Sequence, residues 1–145
     1  MRSVLVLIVI ACAACSDREP GYGPGAGCES DADCGSDVCS HNGACYPASE
    51  LRTVHALWTI NGAAPDATSC GNGLTMVLSF SAEYGYGNSD ISFAPVACAQ
   101  GQFTLDKLPI SFDAVRLQGY SHDHYGEVAA AFDATGNAQL DLQLK

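Results

Sequence analysis

Residues 51–60 read LRTVHALWTI. Val54, Ala56, Trp58 and Ile60 fall on one side of this run, and His55, Leu57 and Thr59 on the other. An apolar–polar alternation of period two places one face on a core and the other in water, which is the pattern of a half-buried β-strand. The same period returns at Leu74, Met76, Leu78 and Phe80, and again at Ala138, Leu140, Leu142 and Leu144. Shorter runs lie around residues 91–97, 102–106, 112–119 and 126–132. Turn signals separate them: Asn61-Gly62, Gly71-Asn72-Gly73, the stretch from Gly85 to Asp90, Pro109, and Thr135-Gly136-Asn137. No stretch longer than about ten residues carries a helical stripe. Seven strands within residues 51–145 predict an all-β domain, a seven-stranded antiparallel β-sandwich. Val115 and Leu117 would face inward on the fifth strand, and Val128, Ala130 and Phe132 on the sixth. Trp58 lies on the apolar face of its strand and is expected in the core.

Upstream of this domain the composition changes. Residues 28–45 read CESDADCGSDVCSHNGAC, with cysteines at 28, 34, 39 and 45 and one aliphatic side chain, Val38. Eighteen residues of this kind cannot build a core, so covalent staples must hold them. Four cysteines allow three pairings. The interleaved one, Cys28–Cys39 with Cys34–Cys45, is the expectation, because small modules often use it. A zinc site is the alternative; its ligands are usually spaced two to four residues apart, and thiols outside the cytoplasm tend to oxidise first. Asp31, Asp33 and Asp37 invite a calcium reading, but an EF-hand loop needs a glycine and a late glutamate in register, and neither is there. Solvated turn carboxylates are the expectation. The pattern C-x-S-D-x-D-C-x-S-x-x-C-x-x-x-G-x-C resembles short cysteine-rich repeats that follow the lipid anchor in many bacterial lipoproteins, and is loosely similar to the first half of dickkopf-like modules. The resemblance implies an extracytoplasmic spacer or interaction module.

The amino terminus points to export. Met1-Arg2 precedes an apolar run of eleven residues, Val4 to Ala14. Such a run is too short for a membrane-spanning helix, which needs about 20 residues, and suits the apolar stretch of a signal peptide. It ends in Val9-Ile10-Ala11-Cys12-Ala13-Ala14-Cys15, which resembles a bacterial lipobox, implying a lipidated cysteine at the mature start. Cys12 has the better aliphatic context. Cys15 has the better parity, since cutting before it leaves six further cysteines, an even number; Cys15 is therefore taken as the lipidation site, with Cys12 as alternative. Several acyl chains hold a protein on a membrane far better than one. Residues 1–14 thus read as signal peptide, 15–27 as a lipid-anchored linker, 28–46 as the cysteine-rich module and 51–145 as the sandwich. The linker SDREPGYGPGAG has four glycines and two prolines, and a flexible coil of that length spans on the order of 20 Å.

Charge and cysteine usage narrow the function classes. The formal net charge is −10, and there are eight cysteines. An acidic surface repels phosphate backbones, which argues against nucleic-acid partners. The expected setting is the bacterial cell envelope, at the outer rather than the inner membrane, with an envelope protein or a glycan as partner.

The run Gly101-x-Phe103-x-Leu105-x-x-Leu108-Pro109-x-x-Phe112-x-x-Val115 is similar to the core motif of carboxypeptidase-regulatory-like, prealbumin-type sandwich domains, with Ser111 where that family usually has glycine. The likeness implies a non-catalytic accessory module. If the strands alternate up and down, Cys70 and Cys98 fall at the same end and can form a third disulfide, worth about 3–4 kcal/mol.

Among possible sites, Ser121-His122-Asp123-His124 holds three metal-type ligands, His122, Asp123 and His124, in the loop between strands five and six. Three ligands so close in sequence strain a tetrahedral site, so at least one more would have to come from elsewhere, and Asp66, at the same end, could reach it; a polar loop is the simpler reading. Ser121 beside His122 is adjacency without an elbow motif, and no catalytic residue or cofactor is expected. Glu83-Tyr84-Gly85-Tyr86-Gly87-Asn88-Ser89 suits adaptable recognition, with Tyr84 and Tyr86 as amphipathic rings, and Tyr120 with Tyr125 flank the opposite end.

Overall fold

The structure, a computed structural model, describes residues 27–71, 73–82 and 90–145. The apolar run with Cys12 and Cys15, the linker up to residue 26, and the loop carrying Tyr84 and Tyr86 lie outside the described residues.

Two short strands, β1 (Val38–Cys39) and β2 (Cys45–Tyr46), pair antiparallel and form the cysteine-rich module with a 3₁₀ turn at Asp31–Cys34. Only Ser40 of this module is buried. Its staples are Cys28–Cys39 and Cys34–Cys45, the interleaved pairing. The three sulfurs of Cys28, Cys34 and Cys45 lie within 4.8 Å of one another, because the two bridges stack where a core would otherwise be.

Seven strands follow: β3 (Leu51–Ile60), β4 (Thr75–Ser81), β5 (Ile91–Phe93), β6 (Gln102–Pro109), β7 (Ala114–Tyr120), β8 (Tyr125–Ala131) and β9 (Asn137–Leu142). They form one sheet of order β6-β3-β9 and another of order β5-β4-β7-β8. Val54, Ala56, Trp58 and Ile60 from the first meet Met76, Leu78, Phe80, Val115 and Leu117 from the second in a single core. Trp58 is buried there and donates its indole N–H to the Cys98 carbonyl at 3.0 Å. Phe80, Phe93, Phe103 and Phe132 close the end nearer the cysteine module, with Phe80 and Phe132 stacked at 6.1 Å. The run around residues 91–97 yields only three strand residues, since Pro95 has no N–H to give to a ladder.

One pairing departs from an antiparallel sandwich. β3 and β9 run parallel, from His55 opposite Asn137 to Ile60 opposite Leu142. Strict up-and-down alternation explains it: the first and seventh strands point the same way, so if they become neighbours they must pair parallel. The Gly136 carbonyl accepts the His55 N–H at 2.8 Å and sets that register. Alternation also places the β3–β4, β5–β6 and β7–β8 connections at one end, where Cys70 and Cys98 are bridged. At the β6–β7 turn, Ser111 takes no positive φ and the Phe112 N–H bonds to the Pro109 carbonyl.

The module sits against β6. Lys107 Nζ lies 2.9 Å from both oxygens of Asp31, whose Oδ1 also accepts the Cys39 N–H. His41 hydrogen-bonds Asp106 at 3.1 Å and sets its ring edgewise to Phe93. Here β6 bulges: Asp106 and Lys107 together oppose Thr53, and Lys107 adopts a φ of 49°. The bulge turns Lys107 out of the ladder and toward Asp31.

Candidate functional site

The alternation that sends Val115, Leu117 and Gly119 into the core sends Arg116, Gln118 and Tyr120 outward on β7. On β8 the outward positions are Tyr125, Glu127, Ala129 and Ala131. A four-residue tip, 121–124, fixes the register, so Tyr120 faces Tyr125, Gln118 faces Glu127 and Arg116 faces Ala129. Tyr120 and Tyr125 are 46% and 54% exposed. They are directly opposed cross-strand residues, so both rings stand on the same outward face.

Glu127 joins the row beneath them. Its Oε2 accepts the Tyr125 hydroxyl at 2.6 Å and the Gln118 amide at 2.9 Å, and its Oε1 lies 3.5 Å from Arg116 Nε. The Tyr125 hydroxyl, then Gln118 and Arg116, hold the Glu127 carboxyl below its usual range. Reciprocally, the hydrogen bond to Glu127 raises the Tyr125 phenol. Arg116 is flanked by small side chains, Ala129 on β8 and Ser79 on β4, the latter bonded to Ser92 on β5 at 2.8 Å. Two exposed tyrosines, a row of planar polar groups joined through Glu127, and small side chains on either side of Arg116 thus share one face. Such an arrangement can bind and orient a ligand.

The hairpin tip carries the histidines. His122 Nδ1 lies 2.6 Å from Asp123 Oδ1, and both side chains are exposed to solvent. His124 instead lines a cavity of about 210 Å³ with Asn61, Thr68, Ser69 and Ser121, which places this loop beside the residues 66–70 turn as expected. Asp66 itself is committed within that turn, where its Oδ1 accepts the N–H groups of Thr68 and Ser69 at 2.9 and 2.7 Å. His122, Asp123 and His124 are therefore near one another without a shared focus. Among the described residues the one group of three metal-type donor atoms lying within 4.8 Å is Cys28, Cys34 and Cys45, whose sulfurs are consumed in bridges. Asp33 is likewise engaged, its Oδ2 accepting the Glu29 and Ser30 N–H groups. His55 and Thr104 meet at 3.0 Å across β3 and β6, but on an exposed sheet face.

The tyrosine pair was foreseeable as exposed rings flanking a loop. Arg116, Gln118 and Glu127 were not singled out, although a four-residue tip with Tyr120 and Tyr125 at its base implies their register. No protein-family model matches the chain, and no curated protein matches it.

Proposed function

We propose that this chain is a non-catalytic binding module of the bacterial cell envelope, tethered by a lipid on Cys15 and offering its β-sandwich to a partner. The observation that carries this reading is the pairing of all six cysteines downstream of residue 27 in three disulfides. Such bridges form and persist in oxidising compartments. The lipobox-like residues 12–15 supply the tether and the parity of cysteines favours Cys15 over Cys12. The net charge of −10 argues against nucleic acid as partner. The likeness to accessory sandwich domains agrees with a binding role, and the open polar face on β7 and β8 is the kind of surface such a role requires.

Fractionation of the native host cell tests the tether. The parent chain is expected in the detergent-rich phase, and Cys15→Ala in the aqueous phase, with Cys12→Ala behaving as the parent. Retention of Cys15→Ala with membranes would refute lipidation at that residue.

A further inference from the structure

We propose that the outer face of the β7–β8 hairpin is a glycan-binding site that takes a neutral pyranose chain, with Tyr120 and Tyr125 as the stacking surface and Arg116, Gln118 and Glu127 as the hydroxyl-binding row. The proposal rests on the reading of this chain as a binding module and names the ligand class of its site.

Four features converge on a sugar. First, tyrosine rings that are half exposed offer flat apolar area with a polar rim, which matches a pyranose, apolar on its faces and hydroxylated at its edge. Second, the hydrogen-bonding groups are planar and already fixed. Glu127 holds Gln118, Tyr125 and Arg116 in one network, so little side-chain freedom remains to be lost on binding. The network keeps free donors on Arg116 and Gln118 for sugar oxygens, and spare lone pairs on Glu127 for sugar hydroxyls. Neighbouring strands stand about 4.8 Å apart, so donors on β7 and acceptors on β8 can address vicinal hydroxyls of one ring.

Third, small side chains flank Arg116 on both sides, Ser79 and Ser92 on one and Ala129 on the other, with Ala131 further along β8. Arg116 rises between Ser79 and Ala129, so an extended chain lying along these small residues meets the guanidinium directly. Fourth, charge selects against alternatives. Arg116 and Glu127 balance each other within the row, on a chain of net charge −10, so a polyanionic glycan is disfavoured. A peptide adding to the β8 edge is disfavoured at its start, because Tyr125 there exchanges both backbone hydrogen bonds with Lys145 at 3.1 Å. Of the exposed large apolar side chains among the described residues, Leu57 on β3 and Ile110 after β6 lie off this face; its branched aliphatic side chain, Val77 opposite Gln118, is only part-exposed, a small anchor for a protein partner.

Calorimetry on the full mature chain tests the site. The probes are hexasaccharides of β-1,4-linked glucose, β-1,4-linked N-acetylglucosamine and α-1,4-linked glucose, with a uronate hexasaccharide as the anionic comparison. The parent is expected to bind at least one neutral probe and to bind the uronate more weakly. Tyr120→Ala with Tyr125→Ala should weaken binding about tenfold or more. Glu127→Gln, which keeps size while changing the acceptor, should also weaken it, and both variants should keep the parent's circular dichroism. Binding of no neutral probe by the parent, or affinity unchanged in both variants, overturns the site. A parent that binds none of the probes yet still partitions with membranes through Cys15 removes the glycan and leaves the envelope reading standing.

Discussion

Asp66, Asp133 and Asp141 each turn a side-chain oxygen onto the polar hydrogens of a loop. Asp133 Oδ1 accepts the Thr135 hydroxyl and the N–H groups of Thr135 and Asn137 at 2.7–2.9 Å. Asp141 Oδ1 accepts the Thr59 hydroxyl at 2.7 Å and the Gly62 N–H at 2.8 Å. These bonds hold all three carboxyls below the ordinary range: Asp66 chiefly through the Ser69 N–H, Asp133 through the Thr135 hydroxyl, Asp141 through the Thr59 hydroxyl. A carboxyl whose pKa is lower in the folded chain binds protons better when unfolded. Its contribution to stability is present above the unfolded value, about 4, and disappears as pH falls through the folded one. The thermal midpoint should therefore drop on acidification below about pH 4. Asp133→Ala should lower the midpoint at pH 7 and make the acid-induced drop shallower; parallel curves for variant and parent would remove Asp133 from the pH response. This role was not legible in composition, which registers an acidic chain and cannot say which carboxylates meet a backbone N–H. Lys107 makes the same point. Left-handed backbone costs an ordinary residue about 1–2 kcal/mol, and nothing in the local sequence announces it; the bulge and the Asp31 contact do.

At the scale of elements, alternation was a sufficient guide to the strands. It placed Val54, Ala56, Trp58 and Ile60 in the core, and its up-and-down corollary brought Cys70 to Cys98. The parallel β3–β9 pair was harder, because strand direction follows from alternation but adjacency does not. The space for the carboxy-terminal strand comes from two glycines that face each other, Gly119 on β7 and Gly126 on β8. A methyl group on Gly119 would reach the Leu142 side chain at 2.8 Å, whereas one on Gly126 would collide with the backbone carbonyl of Gln143. A leucine side chain can shift and a carbonyl in a closed corner cannot. Gly126→Ala should therefore destabilise by about 1–3 kcal/mol, and Gly119→Ala by less. Chemical denaturation of both variants measures this, and a Gly126→Ala midpoint equal to the parent's would mean the corner yields. In the sequence, Gly126 read only as the start of a strand, since its opponent lies seventeen residues away on a segment whose partner was unassigned. The candidate face was legible in the same partial way: its rings were visible at the hairpin base, while its polar row waited on the register.

The whole molecule divides its means of stabilisation. The sandwich has a continuous core from two sheets; the module of residues 28–46 has one buried residue and two bridges. On the chain-entropy estimate each module bridge contributes about 3 kcal/mol and the Cys70–Cys98 bridge about 3–4 kcal/mol. Oxidation is thus needed most where burial is least, and the proposed exported setting rests on the same chemistry. Intact-mass and non-reducing peptide spectrometry of the protein isolated from native membranes, with thiols blocked at lysis, addresses both at once. The expected species begins at an acylated Cys15, contains Cys28–Cys39, Cys34–Cys45 and Cys70–Cys98, and gains two hydrogen masses per bridge on reduction. A chain with its downstream cysteines alkylated as free thiols, or one that starts without acyl groups, would contradict it.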